Sequence, residues 1–138
     1  MSGLQARIAL AFLVLSLLAV VGGCMGDQRD FRGLLGRNPE EVTKISLRCG
    51  TTGELVEVAG DEEMGEFIAL LEGKTFEKAK DQARRVGYRY YADFHRGDDT
   101  LLRLTFQGDL VSVNQTYYQV TENIPQEKLD AFFAGWER

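Results

Sequence analysis

The chain has 138 residues, of which 16 are basic and 21 acidic, so its formal net charge is −5. This acidic balance argues against nucleic acid as a ligand, because nucleic-acid-binding domains carry a basic patch or a high isoelectric point. Only two cysteines are present, which excludes the disulfide framework of many small secreted domains and leaves packing as the source of stability.

An apolar run near the amino terminus predicts that the chain leaves the cytoplasm. Arg7 precedes apolar or small residues at positions 8–21, and Gly22, Gly23 and Cys24 follow them. A basic start, an apolar middle and a small-residue end are the layout of a secretory signal peptide. The run is shorter than the roughly 20 apolar residues of a membrane-spanning helix. A simple amino-terminal anchor is the alternative interpretation.

The end of this run resembles the bacterial lipobox, in which an aliphatic residue and two small residues precede a cysteine. Here those residues are Val21, Gly22, Gly23 and Cys24. The resemblance implies that Cys24 receives a diacylglyceryl thioether and that a lipoprotein signal peptidase cuts after Gly23. We therefore predict a signal peptide at residues 1–23 and a protein anchored by acyl chains to the extracytoplasmic face of the cell membrane. The mature chain would have 115 residues and a net charge of −6, since Arg7 is the only charged residue removed.

Residues 24–40 are interpreted as the lipidated cysteine and a tether, because glycines, a proline and scattered charges follow no periodicity there. A flexible coil of this length reaches about 20–25 Å. Phe31, Leu34 and Leu35 are apolar exceptions that would dock on the domain or on the bilayer. A single domain is expected over residues 41–138.

The first part of that domain predicts a β-hairpin followed by a helix. Ile45, Leu47 and Cys49 alternate on one face of a strand, so Cys49 is expected to be buried. Residues 50–53 form a turn, and residues 55–58 return as a second strand. Asp61 is expected to cap an amphipathic helix that ends at Gly73.

Residues 74–87 have a local net charge of +3, whereas residues 54–72 hold seven acidic residues and no basic one. A short strand is expected to begin at residues 75–77, followed by a mobile loop. One interpretation of the basic segment is a solvated loop. The other is a docking patch for an anionic group of the cell wall or of a partner.

The remainder predicts four strands in an antiparallel meander and a closing helix. Apolar residues alternate through residues 88–95, 100–106, 110–113 and 116–120, with turn residues between these runs. Pro125 is expected to begin a carboxyl-terminal helix. The predicted fold is therefore α+β, with an antiparallel sheet (an amino-terminal hairpin plus a four-stranded meander), one internal amphipathic helix and a carboxyl-terminal helix.

The face of the meander that points away from the core is the predicted binding surface. Arginine and aromatic side chains are enriched at protein interfaces. The alternative is a solvated sheet face with ordinary cross-strand pairs. The residues on this face are predicted to be Arg89, Tyr91, Asp93, His95, Arg103, Thr105, Tyr117 and Gln119.

His95 is the only histidine, so any Ser-His-Asp or Cys-His arrangement must include it. A metal site formed with Asp93, Asp98 and Asp99 is one interpretation, because imidazole and carboxylate together suit several divalent ions. An ordinary hairpin turn at residues 97–99 is favoured, since turns select the same residue types. We predict no catalytic residue, metal or cofactor.

The order of these elements resembles small extracytoplasmic lipoproteins of Gram-positive bacteria. The resemblance is carried by the lipobox, VTKISLRCGTTGELVEV, an acidic helix, GYRYYADFH, TYYQV and an aromatic terminal helix. It implies an α+β domain outside the membrane and supplies no catalytic residues. We expect a monomeric, non-enzymatic module that binds a protein or a cell-wall component. Alternatives are an inhibitor or immunity-type protein acting on an envelope enzyme, and a small hydrolase or metal-dependent enzyme centred on His95.

Overall fold

The computed structural model describes residues 28–137, which form a single sheet with helices on one side. The strands are β1 (Gln28–Arg29), β2 (Lys44–Cys49), β3 (Leu55–Val58), β4 (Phe76–Lys78), β5 (Tyr90–Arg96), β6 (Asp99–Gln107), β7 (Leu110–Val113) and β8 (Thr116–Val120). The helices are α1 (Phe31–Leu35), α2 (Asp61–Glu72) and α3 (Gln126–Trp136), with a 3-10 turn at Pro39–Glu41.

All eight strands are antiparallel to their neighbours, in the order β1-β4-β8-β7-β6-β5-β2-β3. The predicted α+β fold is therefore confirmed, including the hairpin β2–β3 and the meander β5–β8. The hairpin joins the meander because β2 pairs with β5. The short strands β4 and β1 extend the sheet beyond β8.

The core lies between the three helices and one face of the sheet. The register places Ile45 opposite Phe94 and Leu47 opposite Ala92, and all four side chains are fully buried. Phe67 of α2 connects the layers, because its ring lies 6.1 Å from Phe94 on the sheet. The Phe67 ring also packs edge-on against Phe132 and Trp136 of α3 (5.2 and 5.3 Å).

The amino-terminal boundary of the domain differs from the prediction. Asp30 caps α1 by accepting a 2.7 Å hydrogen bond from the amide of Gly33, and Phe31 is fully buried with its ring 5.1 Å from Phe94. Residues 28–40 thus belong to the folded domain, so the tether expected over residues 24–40 is wrong for them. Docking of Phe31 and Leu35 on the domain is confirmed.

Two helix starts also differ from the prediction. Gly60 holds the N-cap position of α2 without a side-chain hydrogen bond, so Asp61 is the first helical residue rather than the cap. Pro125 likewise occupies the N-cap position before α3. Gly73 follows the last residue of α2, as predicted. Cys49 is buried, which confirms the inference from its strand phase.

Between residues 28 and 137, no helix has the length and apolar character needed to cross a bilayer. The predicted signal peptide and lipobox lie outside the described residues. They stay predictions of the sequence.

Candidate functional site

The sheet has a second face, called here the outer face, which the helices do not cover. A loop at residues 79–89 packs over part of it, and Ala79, Leu110 and Tyr117 form a small buried cluster beneath this loop. The Tyr117 hydroxyl accepts a 2.9 Å hydrogen bond from the backbone amide of Arg85. Tyr117, predicted to lie on the binding surface, is therefore covered by the loop and only 6% exposed.

The rest of the outer face, formed by β3, β2, β5 and β6, is open. Antiparallel register aligns its side chains in rows that run across the strands. One row contains Leu55, Arg48, Tyr91 and Thr105. The next contains Glu57, Ser46, Asp93 and Arg103, and a third contains Lys44, His95 and Thr100.

An arginine and tyrosine cluster, called here the Tyr91 cluster, occupies the middle of the open part. The guanidinium carbon of Arg103 lies 4.1 Å from the centre of the Tyr91 ring, close enough for a cation–π contact. Arg48 lies 5.6 Å from the same centre, and its Nε donates to the Tyr91 hydroxyl. The Tyr88 ring packs against Tyr91 at 5.3 Å. Asp93 is the fifth member and holds Arg103 in place.

The Asp93 carboxylate accepts two hydrogen bonds from Arg103, one from Nε at 2.7 Å and one from Nη2 at 2.8 Å. This bidentate geometry aligns the guanidinium plane. The hydrogen bonds that Arg103 donates to Asp93 raise the pKa of Arg103 above its ordinary value. Asp93 itself is 7% exposed, so the pair is anchored at the carboxylate and open to solvent at the guanidinium.

Arg48 differs from Arg103 in having no carboxylate partner within residues 28–137. Its guanidinium donates instead to the backbone carbonyl of Gly53 at 2.7 Å and to the Tyr91 hydroxyl. The positive charge of Arg48 is therefore available to an anionic group that approaches the outer face. Leu55, its neighbour in register, is 43% exposed and adds an apolar contact beside that charge.

His95 lies in a hydrogen-bonded group at the other end of the open part. Its Nε2 is 3.0 Å from the Ser46 hydroxyl, its Nδ1 is 3.2 Å from the Thr100 hydroxyl, and Ser46 donates to Glu57 at 3.2 Å. This group is not a Ser-His-Asp triad, because the carboxylate contacts the serine rather than Nδ1 of the histidine. Ser46 is 3% exposed in a strand paired on both sides, so its neighbouring amides are committed to the sheet and form no oxyanion hole.

The residues of the alternative metal site around His95 are not grouped as metal ligands. Asp98 and Asp99 lie at the hairpin between β5 and β6, and Asp93 is committed to Arg103. In the described part of the chain, no three histidine, cysteine or carboxylate side chains are grouped as metal ligands would be.

The predicted surface is thus assembled only in part. Tyr91, Asp93, His95 and Arg103 share the open part of the outer face with Thr105. Arg89 points elsewhere, since its guanidinium donates to Gln126 of α3 at 2.7 Å and to the Gly108 carbonyl at 2.6 Å. Gln119 lies in the β8 row beside Glu77 and Leu110, away from the Tyr91 cluster.

Sequence reasoning missed Arg48, Ser46 and Tyr88. The available signal was the polar phase of β2, where Lys44, Ser46 and Arg48 alternate with the buried residues. The same period of two that identifies a core face also identifies the opposite face. Tyr88 alternates in sequence with the core residues Tyr90, Ala92 and Phe94, but it precedes β5 and packs against Tyr91 instead, so alternation predicts the wrong face for it.

Comparison of the chain with protein-family models, with curated proteins and with solved structures finds no match.

Proposed function

We propose that the protein is a lipid-anchored, extracytoplasmic module that binds an envelope protein through the Tyr91 cluster and catalyses no reaction. The observation that carries this proposal is the stack of Arg103 and Arg48 on Tyr91, on a sheet face that none of the helices within residues 28–137 covers. Arginine and tyrosine, together with tryptophan, are enriched among the residues that contribute most of the binding energy at protein interfaces. In the Tyr91 cluster, hydrogen bonds and ring contacts hold the arginine and tyrosine side chains in place before a partner binds.

The chemistry of the cluster specifies the partner surface. Arg48 has no carboxylate partner within residues 28–137, so the complementary surface presents a carboxylate to it. Leu55, beside the cluster, and Tyr88, within it, are two of the three exposed large apolar side chains in the described part of the chain. An apolar side chain of the partner would cover them. An inhibitor or immunity-type role is a special case of this proposal, in which the partner is an envelope enzyme.

The anchor is proposed at Cys24, which the length of the intervening chain would keep close to the domain. Only four residue steps separate Cys24 from Gln28, the first residue of β1. A fully extended chain of that length spans at most about 14 Å. The domain would therefore sit almost against the bilayer, and its partner would be a membrane protein or another protein held near the membrane surface.

A hydrolase centred on His95 is the second candidate, and the 3.0 Å contact between Ser46 and His95 is the observation in its favour. The position of Glu57 and the pairing of β2 on both sides weigh against it. Ser46→Ala and His95→Ala separate the two candidates. Both variants should retain the cellular phenotype of the wild type if the protein acts by binding, whereas an enzyme would lose it with either one.

Capture of the partner from detergent-solubilised membranes tests the binding proposal. Arg48→Glu places a negative charge against the expected carboxylate, and Arg37→Glu makes the same change at an exposed residue outside the outer face. The proposal requires a stoichiometric partner that is lost with Arg48→Glu, is kept with Arg37→Glu and binds more weakly as salt is raised. Equal recovery by both variants would exclude the Tyr91 cluster as the interface.

The anchor has its own test in metabolic labelling with a fatty acid. Wild-type protein should incorporate the label and shift in size when the signal peptide is removed. Cys24→Ala should do neither. If Cys24→Ala protein is still labelled, the lipidation site is wrong.

A further inference from the structure

We propose that residues 78–88, called here the basic loop, dock on an anionic lipid surface next to the anchor. This inference rests on the lipid anchor of the proposed function, and it adds a second contact with the bilayer. It assigns a role to the basic segment whose purpose the sequence leaves open.

The charge of the basic loop is unneutralised. The loop contains four exposed basic residues and one acidic residue, Asp81. None of the four basic residues forms an ion pair within residues 28–137. Lys74, just before the loop, differs in that it pairs with Glu122 at 3.2 Å. Basic side chains close to an anionic bilayer each contribute to binding. The four basic residues are Lys78, Lys80, Arg84 and Arg85.

The topology places this charge beside the point where the anchor enters the domain. Gln28 of β1 pairs with Glu77 of β4, so Lys78 is the residue after the partner of Gln28. An acylated Cys24 would lie no more than about 14 Å from Gln28. This upper limit exceeds the screening length of about 8 Å at physiological salt, so the basic side chains act on the headgroups only where the domain lies closer to the bilayer than the limit allows.

The basic loop also carries an apolar tip and a recess. Val86 is 99% exposed, and Tyr88, two residues later, is 36% exposed. A cavity of about 430 Å³ lies beside them, lined in part by Arg85, Arg89 and Gln107. Basic residues together with a protruding apolar side chain are typical of segments that lie in the interface of a bilayer. The recess offers the Arg85 side chain to a headgroup phosphate.

The loop is held in shape rather than free. The Gln82 side chain donates a hydrogen bond to the carbonyl of Tyr117 and accepts one from its amide. Gln107 donates to the carbonyl of Gly87. Its basic side chains are therefore presented on a fixed backbone, which lowers the entropic cost of docking.

The charges elsewhere favour one orientation on the bilayer. Glu54 and Glu57 lie at or beside β3, the opposite edge of the sheet from β1 and β4. Seven strand spacings separate β1 from β3, or about 34 Å along the sheet. The net negative charge of the whole protein opposes broad adhesion, but it does not oppose docking through Lys78 and Lys80, at the end of the sheet that carries β1 and β4.

Hydrogen exchange of the full-length acylated protein on vesicles tests this inference. One vesicle population contains phosphatidylcholine alone, and the other contains phosphatidylcholine mixed with phosphatidylglycerol. Flotation first establishes that the protein is anchored to both. Amides of residues 78–88 should then exchange more slowly on the anionic vesicles, and those of residues 55–60 should be unchanged.

Charge reversal provides the matched control. Arg84→Glu removes one positive charge from the loop and adds a negative one, so the ratio of docked to undocked protein should fall about tenfold or more. Lys128→Glu makes the same change of charge at an exposed position of α3, away from the loop. This variant should keep the slower hydrogen exchange of residues 78–88 on anionic vesicles.

Three results would overturn the inference. If the protein floats with both vesicles and residues 78–88 exchange equally on each, the anchor stands and lipid docking is excluded. If Arg84→Glu and Lys128→Glu behave alike, the protection does not come from the loop. If the protein floats with neither vesicle, the anchor and the docking fall together.

Discussion

Arg103 and Asp93 form a bidentate ion pair whose two members differ in their access to water. The side chain of Arg103 is 56% exposed, whereas that of Asp93 is 11% exposed. The guanidinium can therefore be hydrated if its partner is lost, but the carboxylate cannot. Because an unpaired buried charge costs far more than an unpaired exposed one, the two halves of this pair are not equivalent.

The first prediction concerns this asymmetry. Arg103→Met should lower the free energy of unfolding by about 2–3 kcal/mol, since it leaves the Asp93 carboxylate without its two donors. Asp93→Asn should lower the free energy of unfolding by only about 1 kcal/mol, because the exposed guanidinium of Arg103 can then be hydrated. Urea unfolding measures both values. Lys44→Met is the control, since its pair with Glu57 is exposed on both sides and should contribute less than about 1 kcal/mol. A larger loss for Asp93→Asn than for Arg103→Met would contradict the prediction.

The second prediction concerns Gly50, where two segments approach closely. A Cβ atom at Gly50 would lie 1.8 Å from the carbonyl oxygen of Tyr88, and the Gly50 amide donates to the Arg89 carbonyl at 2.7 Å. Gly50→Ala must therefore displace the backbone at residue 88. We expect a loss of about 2 kcal/mol or more in the free energy of unfolding, together with weaker partner binding because Tyr88 moves away from Tyr91.

Gly65 is the matched control for Gly50. It lies inside α2, and a Cβ atom there would meet no heavy atom within 4 Å. Gly65→Ala should raise the free energy of unfolding by about 0.5–1 kcal/mol, because alanine favours the helix. If Gly50→Ala is as stable as the wild type, the close approach at residue 88 is wrong.

Local pattern accounts for what could be predicted of the fold. Ile45, Leu47 and Cys49 identify the core face of β2 because side chains alternate across a strand. Strand β1 has only two residues, too few for a period to appear, whereas the short strand expected to begin at residues 75–77 is confirmed as β4. Phe31 looks like part of a tether because its burial depends on Phe94, 63 residues later in the chain.

The candidate site shows the same division between local and distant information. Alternation along β5 correctly groups Tyr91, Asp93 and His95. Arg89 follows the same alternation, yet Gln126 and Gly108 draw its guanidinium away from the cluster. Tyr117 does not belong to the binding surface because the loop at residues 79–89 covers it. The residues next to Tyr117 in the sequence do not indicate the path of that loop. Contacts between distant segments decided both outcomes.

The third prediction concerns how that loop is held. The Gln82 side chain donates to the carbonyls of Ala79 and Tyr117 at 2.7 and 2.9 Å, and its oxygen accepts from the Tyr117 amide at 2.9 Å. Gln82 thus continues the pairing of β4 with β8 beyond the end of β4. Gln82→Ala should speed hydrogen exchange at the Tyr117 amide and across the basic loop, with little change in far-UV circular dichroism. Arg84→Ala removes no hydrogen bond and should leave hydrogen exchange as in the wild type. Equal exchange in the Gln82→Ala and Arg84→Ala variants would contradict the role of Gln82 in holding the loop.

The fourth prediction concerns Tyr90, a buried tyrosine whose hydroxyl donates to Asp130 at 2.6 Å. Desolvation by burial, and then the hydrogen bond to the Asp130 carboxylate, raise the pKa of Tyr90 well above its ordinary value of 10. The folded protein therefore retains the phenolic proton at a pH where the unfolded chain releases it. Below pH 10 the hydroxyl contributes its full stabilisation, and as the pH rises further that contribution is lost.

Tyr90→Phe isolates this effect from the other groups that titrate at high pH. At pH 8 the variant should be about 1–2 kcal/mol less stable than the wild type, because the hydrogen bond to a carboxylate is lost. Above pH 10 the gap should shrink by up to about 1.4 kcal/mol per pH unit. Urea unfolding of both proteins between pH 8 and 11 measures the gap. A gap that stays constant over this range would mean that Tyr90 ionises equally in both states, and the pH dependence would then have to arise outside the contact between β5 and α3.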